Sequence, residues 1–457
     1  MCNKVKFVFL VFNFLIFSNF VSAQIKISSI QIEGNKKTKS YIILRELPYH
    51  QGDNIPKDSL AILDTTAEQQ LFNTALFEQV SVRSQFIDSA QVLIKIKVSE
   101  RWYLFPIPYF RWVDRNFNQW WNEQNRSLDR VNYGVSVRQA NVSGNNDKLT
   151  AAFITGYTQQ SLLRYQIPFI DKKLRYGVSF GWQSFTQKEI NIATQLDKQI
   201  FYKTQDIIQK GYRTNATVLY RPNLYERFSF QAGFGKNEIS DSAFLMQPSF
   251  LPSLQKTFSY VEAAVSYTQL HFDYNAYPTK GQSTDISWYQ RFSKNSNLTS
   301  LQLRKIWARP FSKNNFVLLE SNSLVKFLPN NNYTDNKLLG YGNLQMSGLE
   351  YYVVEGNAAS IFKASWQHSL GTMNVKNLIL KKRLPFIKYQ FWVKAFTQLG
   401  YVYNEQPPAG NRLTNTLLRT AGIGMDIISI YDFVLKIDYS LNQLGNKGLY
   451  LHGAFNF

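Results

Sequence analysis

Few side chains in this sequence could do covalent chemistry. There are four histidines, His50, His271, His368 and His452, and one cysteine, Cys2. The histidines never stand three or four residues apart, so no metal-ligating run is present. A disulfide framework and a thiolate metal site are excluded for the same lack of cysteine. Covalent catalysis needs a nucleophile with a base beside it, and with so few imidazoles no such pair stands out. The reading is that of a protein that is not an enzyme, with no cofactor, no metal and no catalytic residue.

The rest of the composition points to a different role. Aromatic residues make up 16% of the 457, with 35 Phe, 27 Tyr and 9 Trp. Large rings at that density suit the two aromatic girdles of a membrane-spanning barrel. The mean hydropathy is −0.27, too low for a bundle of membrane helices, each of which needs about 20 apolar residues in a row. The net charge is +20, but Lys and Arg are spread along the chain. No basic block marks a nucleic-acid site, and attraction to anionic lipid head groups is the simpler account.

Residues 1–23 read as an export signal. Lys4 and Lys6 precede the apolar stretch Phe7–Phe20, and Val21-Ser22-Ala23 forms a small-residue cleavage site. Residues 24–101 then read as a β-α-α-β-β unit. Ile25, Ile27, Ile30 and Ile32 mark a strand ending at Gly34, and residues 38–44 suit a short helix. Leu60, Leu63, Ala67 and Leu71 form a helical apolar stripe after Pro56. Residues 76–82 and 92–98 read as strands. This order resembles a POTRA domain, carried by Gly34, Arg45-Glu46-Leu47, Gly52, Leu71, the segment Leu76-Phe77-Glu78-Gln79-Val80 and the closing Val98-Ser99-Glu100. The resemblance implies a periplasmic docking module that adds a client segment at a sheet edge; a plain spacer domain is the alternative.

From Trp102 to the end, segments of about ten residues alternate between apolar and polar, as barrel strands do when one face meets lipid and the other the lumen. In Tyr389–Tyr403 the apolar set is Tyr389, Phe391, Val393, Ala395, Leu399, Tyr401 and Tyr403, opposite Gln390, Lys394, Gln398 and Gly400. Tyr431, Phe433, Leu435, Ile437 and Tyr439 repeat the pattern. Such segments number about sixteen, an allowed even count. Long connections fall near 114–130, 187–207, 237–256, 327–359 and 404–415 and alternate with short ones, with 371–387 as a long exception on the short side. The expected fold is a transmembrane β-barrel over 102–457 behind one small α+β domain.

The whole chain resembles the BamA/TamA-type superfamily of outer-membrane assembly and secretion proteins. Asp273, Pro278 and Gly281 match the family's D…P-x-x-G periplasmic turn, and the long loop near 327–359 is followed by five strands. That loop contains Ser347, Gly348, Leu349 and Glu350, aligned with the family's R-G-[YF] motif. Phe455 and Phe457 match the C-terminal aromatic signal of the class. In the family the loop arginine pairs with a strand aspartate inside the lumen. Here those positions are Ser347 and Gln398, so both partners are neutral. Replacing both is physically coherent, because one buried charge left alone costs several kcal/mol. Asp426 is a further lumenal carboxylate on this reading.

The resemblance implies insertion of outer-membrane proteins or protein secretion, with partners among membrane lipid and lipopolysaccharide, unfolded clients and accessory lipoproteins. It implies an outer-membrane location with the POTRA-like domain in the periplasm. Pro106 and Pro108 in the first strand and Gly453 in the last would make a weak first–last seam that opens sideways; alternatively the prolines simply end the linker. A passive outer-membrane channel or surface protein on the same scaffold is the competing function.

Overall fold

The computed structural model describes residues 24–455 apart from 113–118, 124, 253, 295, 329–331, 343 and 377–385. The export signal 1–23 and Phe457 lie outside them. Two units follow one another. The first has β1 (Gln24–Glu33), α1 (Ser40–Arg45), β2 (Asn54–Pro56), α2 (Leu60–Asn73), β3 (Phe77–Phe86) and β4 (Gln91–Glu100). Its sheet order is β2-β1-β4-β3. β1 and β4 run parallel. A parallel pair needs a crossover, and the chain between them supplies it with α1, α2 and β3. Ile25, Ile27, Val92, Ile94 and Ile96, each on alternate strand positions, pack against Ile42, Ile43, Ala67 and Leu71 in one core. The apolar periods of sheet and helix therefore meet face to face.

The second unit is a 16-stranded antiparallel meander. Its first strands are β5 (Leu104–Trp112), β6 (Val131–Ala140), β7 (Lys148–Gly156), β8 (Thr158–Ile167) and β9 (Tyr176–Gln187). A separate hairpin, β10 (Glu189–Gln195) and β11 (Lys198–Lys203), follows. The sheet resumes with β12 (Gln209–Tyr220), β13 (Glu226–Ile239), β14 (Thr257–Phe272), β15 (Gly281–Phe292), β16 (Leu298–Ser312) and β17 (Asn315–Phe327). A long loop holds the short pair β18 (Lys337–Leu339) and β19 (Val354–Glu355). The last five strands are β20 (Ala358–Lys376), β21 (Phe386–Tyr403), β22 (Leu417–Ile428), β23 (Phe433–Asn442) and β24 (Lys447–Phe455). The count of sixteen expected from periodicity is the count observed.

Alternation sets the two faces. On β21, Leu399, Tyr401 and Tyr403 are exposed outward, while Lys394, Phe396, Gln398, Gly400 and Val402 are buried inward. Phe153, Phe180, Phe230 and Ile423 continue the outward apolar surface on other strands. Among the described residues no helix is long and apolar enough to cross a membrane; the strands carry the apolar face instead.

Two expectations need correction. The connection over 371–387 is partly strand, because β20 runs to Lys376 and pairs with Phe386 at the start of β21. Tyr431 is not on the outward face of β23. That strand starts at Phe433, and Tyr431 sits in a turn with φ 55°.

The end of the barrel away from the first unit is closed over by its loops. Ile190, Ile208, Phe250, Leu251, Phe258 and Tyr333 form a separate apolar core there. At the tip of the β10/β11 hairpin, the Asp197 carboxylate accepts hydrogen bonds from the Arg412 and Leu413 amides at 2.9 and 3.2 Å. The Asp197 carbonyl accepts from the Val353 amide at 2.8 Å.

Candidate functional site

The inner wall of β21–β24 gathers most of the lumenal residues singled out in the sequence. Lys394 on β21 lies 2.7 Å from Asp426 and 2.8 Å from Asp438, all three buried. The register explains the bridge: Lys394 faces Gly424 on β22, and Gly424 faces Asp438 on β23. A Cβ at Gly424 would meet Asp438 Oδ1 at 2.3 Å and Lys394 Cε at 2.8 Å. The missing side chain lets the ion pair span a whole strand.

Above this group lies the inward loop. The Ser347 amide donates to Gln398 Oε1 at 3.1 Å, and Gln398 Nε2 donates back to Ser347 Oγ at 3.1 Å. The Gly348 amide donates to Glu350 at 2.7 Å, and Asn442 Nδ2 donates to the Gly348 carbonyl at 2.7 Å. Glu350 stands 3.4 Å from His452 of β24, and Tyr351 packs edge-on against Tyr450. Leu349 is buried with Leu344, Met346 and Leu418. The loop thus holds to β21, β23 and β24 together. A cavity of about 520 Å³ remains between it and the wall, with Lys363, Lys394 and Lys436 set against Glu320, Asp426 and Asp438. With Glu350 also lining it, four carboxylates face three lysines, so the wall is polar without a strong field of one sign.

The Asp273–Gly281 turn links this wall to the first unit. The Asp273 carboxylate accepts from the Thr279 and Lys280 amides at 3.0 Å each and closes the turn. Pro278 is inside it. Gly281 has φ 112°, and a Cβ there would strike the His271 carbonyl at 2.0 Å. Tyr277 rises from the turn and donates to Asp426 at 2.9 Å, packed on Phe316 and Trp392. Tyr274 donates to Asp432.

The first unit is seated on this end of the barrel through two buried ion pairs. Arg101 reaches Asp432 at 2.7 Å while lying over the Phe72 and Tyr431 rings. Tyr431 donates to Glu78 at 3.1 Å. Farther round, Arg221 holds both oxygens of Glu46, at 2.6 and 2.7 Å. Burial by itself would raise the Glu46 carboxyl, but Arg221 overrides it and holds the group below the usual carboxylate range. Asn73 side-chain contacts to Phe272, Asp273 and Asn275 fill the space between. Sequence reading missed Lys394, Tyr277, Arg101–Asp432 and Arg221–Glu46. Lys394 was legible as a charge on an inward position, but its partners needed the register.

The seam has a readable polarity. The Ala140 amide donates to the Tyr103 carbonyl, so Tyr103 and Ala140 form a hydrogen-bonded pair of the β5–β6 register. In an antiparallel ladder such pairs alternate. Odd positions of β5 therefore bond to β6, and 104, 106, 108, 110 and 112 point their amides away from it. Pro106 and Pro108 are two of those five and have no N–H. On β24, the Asn442–Asn446 bond fixes even positions toward β23. Gly453 and its odd neighbours face the other way. Among the described residues no ladder joins β5 to β24. Phe455 ends β24.

One serine pattern resembles a hydrolase elbow, Gly177-Val178-Ser179-Phe180-Gly181. It lies mid-strand in β9, paired with Thr217 and Gln166, not in the strand-to-helix turn that such a nucleophile needs. Among the described residues no group of His, Cys, Asp and Glu is placed to hold a metal.

Comparison with known proteins fits this anatomy. The POTRA family, described as surface antigen variable number repeat, matches residues 25–101. No curated protein matches the chain. CdiB from Escherichia coli is similar in structure, with a TM-score of 0.53 at 10% identity, over 94% of this chain and 75% of that one. BamA from Haemophilus ducreyi lacking POTRA domains 1–3 gives 0.47 at 14% identity, over 94% and 84%. The fold defines a POTRA-bearing, 16-stranded transmembrane barrel. That fold, a POTRA domain ahead of a barrel, is shared with CdiB from Escherichia coli.

Proposed function

We propose that this chain assembles client proteins into the outer membrane or passes them through it. The observation that carries the proposal is the seam. Among the described residues no ladder joins the first barrel strand to the last, and the first lacks amide donors at Pro106 and Pro108 on the side away from β6. In lipid every backbone polar group seeks a partner, and an unpaired edge is a template for an incoming strand. A client docks at the POTRA sheet edge, passes to the adjacent barrel mouth and pairs at the seam. No covalent step is needed.

On this reading the POTRA end faces the periplasm, the loop-covered end faces outward, and the apolar surface meets lipid and lipopolysaccharide. Clients arrive unfolded, with accessory lipoproteins as further partners. A passive channel is less well supported, because the inward loop occupies the lumen and the outer loops close over it.

Cysteines placed along β5 and β24 test the proposal in the native membrane. Oxidative locking is expected to deplete a defined set of outer-membrane or exported proteins, and reduction to restore them. A locked barrel that keeps every client level unchanged sinks the gate.

A further inference from the structure

A second lumenal space lies lower, between the POTRA domain and the first strands. It measures about 400 Å³ and is bounded by Thr74 and Leu76 of the domain, Phe105 of β5, and Arg138, Lys148 and Arg164 of β6, β7 and β8. No Asp or Glu lines it among the described residues. Arg101 also borders it, but its charge is matched by Asp432. For Lys148 and Arg164, by contrast, no carboxylate stands within ion-pair distance among the described residues. An adjoining space of about 210 Å³ shares Lys148 and Asn146 and adds Arg227.

The arrangement follows from the ladder. Arg138, Thr150 and Arg164 stand on one rung across three strands, and Lys148 is one inward position along from Thr150. Strand spacing puts the two arginine backbones about 10 Å apart. Neighbouring strands at this spacing place successive cations along a line, not around a point. A line of cations on a polar wall, with Leu162 beside it, fits an extended chain carrying carboxylates better than one compact anion.

We propose that this chamber is a binding site for acidic side chains of an unfolded polypeptide on its way from the POTRA domain to the seam. The inference rests on the assembly or secretion reading above and names the client chemistry for it. Two features choose polypeptide over lipid. The chamber lies on the inner face, walled from the outward apolar surface by β6–β8. It also touches both the docking domain and the first barrel strand, β5. A carboxylate entering between Lys148 and Arg164 is stabilised by direct, charge-assisted pairing with both.

The test uses the full-length protein folded in detergent, with two short synthetic peptides of equal length, one rich in Glu and one with Gln in its place. Fluorescence anisotropy is expected to show the Glu peptide bound about tenfold more tightly than the Gln peptide. The Lys148→Gln/Arg164→Gln variant is expected to erase the difference, and Lys148→Arg/Arg164→Lys to keep it. Heat-modifiable gel mobility confirms folding, and the single Gln variants serve if the double one does not fold. Equal binding of both peptides, or a preference that survives the Gln substitutions, overturns the site. So does displacement of the Glu peptide by short-chain phosphatidylglycerol, which would assign the chamber to lipid head groups. Because this readout needs no client assembly, its failure leaves the seam-locking result standing, and failure of seam locking leaves this one interpretable.

Discussion

Ser347 and Gln398 exchange two hydrogen bonds, 3.1 Å each, across the lumen between the inward loop and β21. Both groups are neutral, so the contact needs no counter-ion. Gln398→Ala removes the acceptor of the Ser347 amide and is expected to cost about 1–3 kcal/mol. The check is the urea midpoint in lipid vesicles, with chymotryptic cleavage at Tyr351 and Tyr352 as a local probe. An unchanged midpoint and unchanged cleavage would show that the apolar packing of Leu349 and Met346 holds the loop alone.

Lys394 is the sole cation within ion-pair distance of both Asp426 and Asp438 among the described residues. Lys394→Met strands two buried carboxylates and is expected to destabilise the barrel by about 3–5 kcal/mol. Adding Asp426→Asn and Asp438→Asn is expected to recover much of that. The urea midpoints of the single and triple variants decide the matter; a triple variant no more stable than Lys394→Met refutes the charge account.

How much of this was legible beforehand varied with the range of the interaction. Period-two alternation located all sixteen barrel strands, because a strand with lipid on one side must alternate. Leu60, Ala67 and Leu71 marked α2 for the equivalent reason at helical period. The lumenal pairs were harder. Lys394 and Asp438 are neighbours only through Gly424 on the strand between, and Arg221 meets Glu46 only once the first unit is seated. Neither relation leaves a local pattern. Tyr431 was misplaced because its turn continues the odd-position apolar series of β23, and the positive φ of Tyr431 and Asp432 breaks it.

Glu46 gives a pH dependence. Its folded pKa lies below the ordinary carboxylate value. A depressed acid contributes stability that is present above its unfolded pKa and is lost as pH falls through the folded one. Seating of the POTRA domain is thus expected to be constant near neutrality and to weaken in acid, below about pH 4. Spin-label distances between the domain and the barrel would report it. Glu46→Gln should remove the acid-dependent component while weakening seating at every pH; an unaltered pH profile in that variant contradicts the assignment.

The seam prolines make a further case. Pro106→Val with Pro108→Val supplies two amides to the open edge of β5. Each added ladder bond is expected to favour closure by about 0.5–1.5 kcal/mol. Disulfide trapping between β5 and β24 should become faster, and client assembly slower. Trapping at the parental rate would return the prolines to a linker role.

Asp197 has a consequence for direction of travel. One carboxylate and its own carbonyl staple three separate segments of the cover: the β10/β11 hairpin, Val353 just ahead of β19 and the stretch at Arg412–Leu413. On the proposed function, cargo heading straight up the bore would have to prise that staple apart. A strand sliding out through the side of the cylinder leaves it untouched, so the lid imposes a toll on one exit and none on the other.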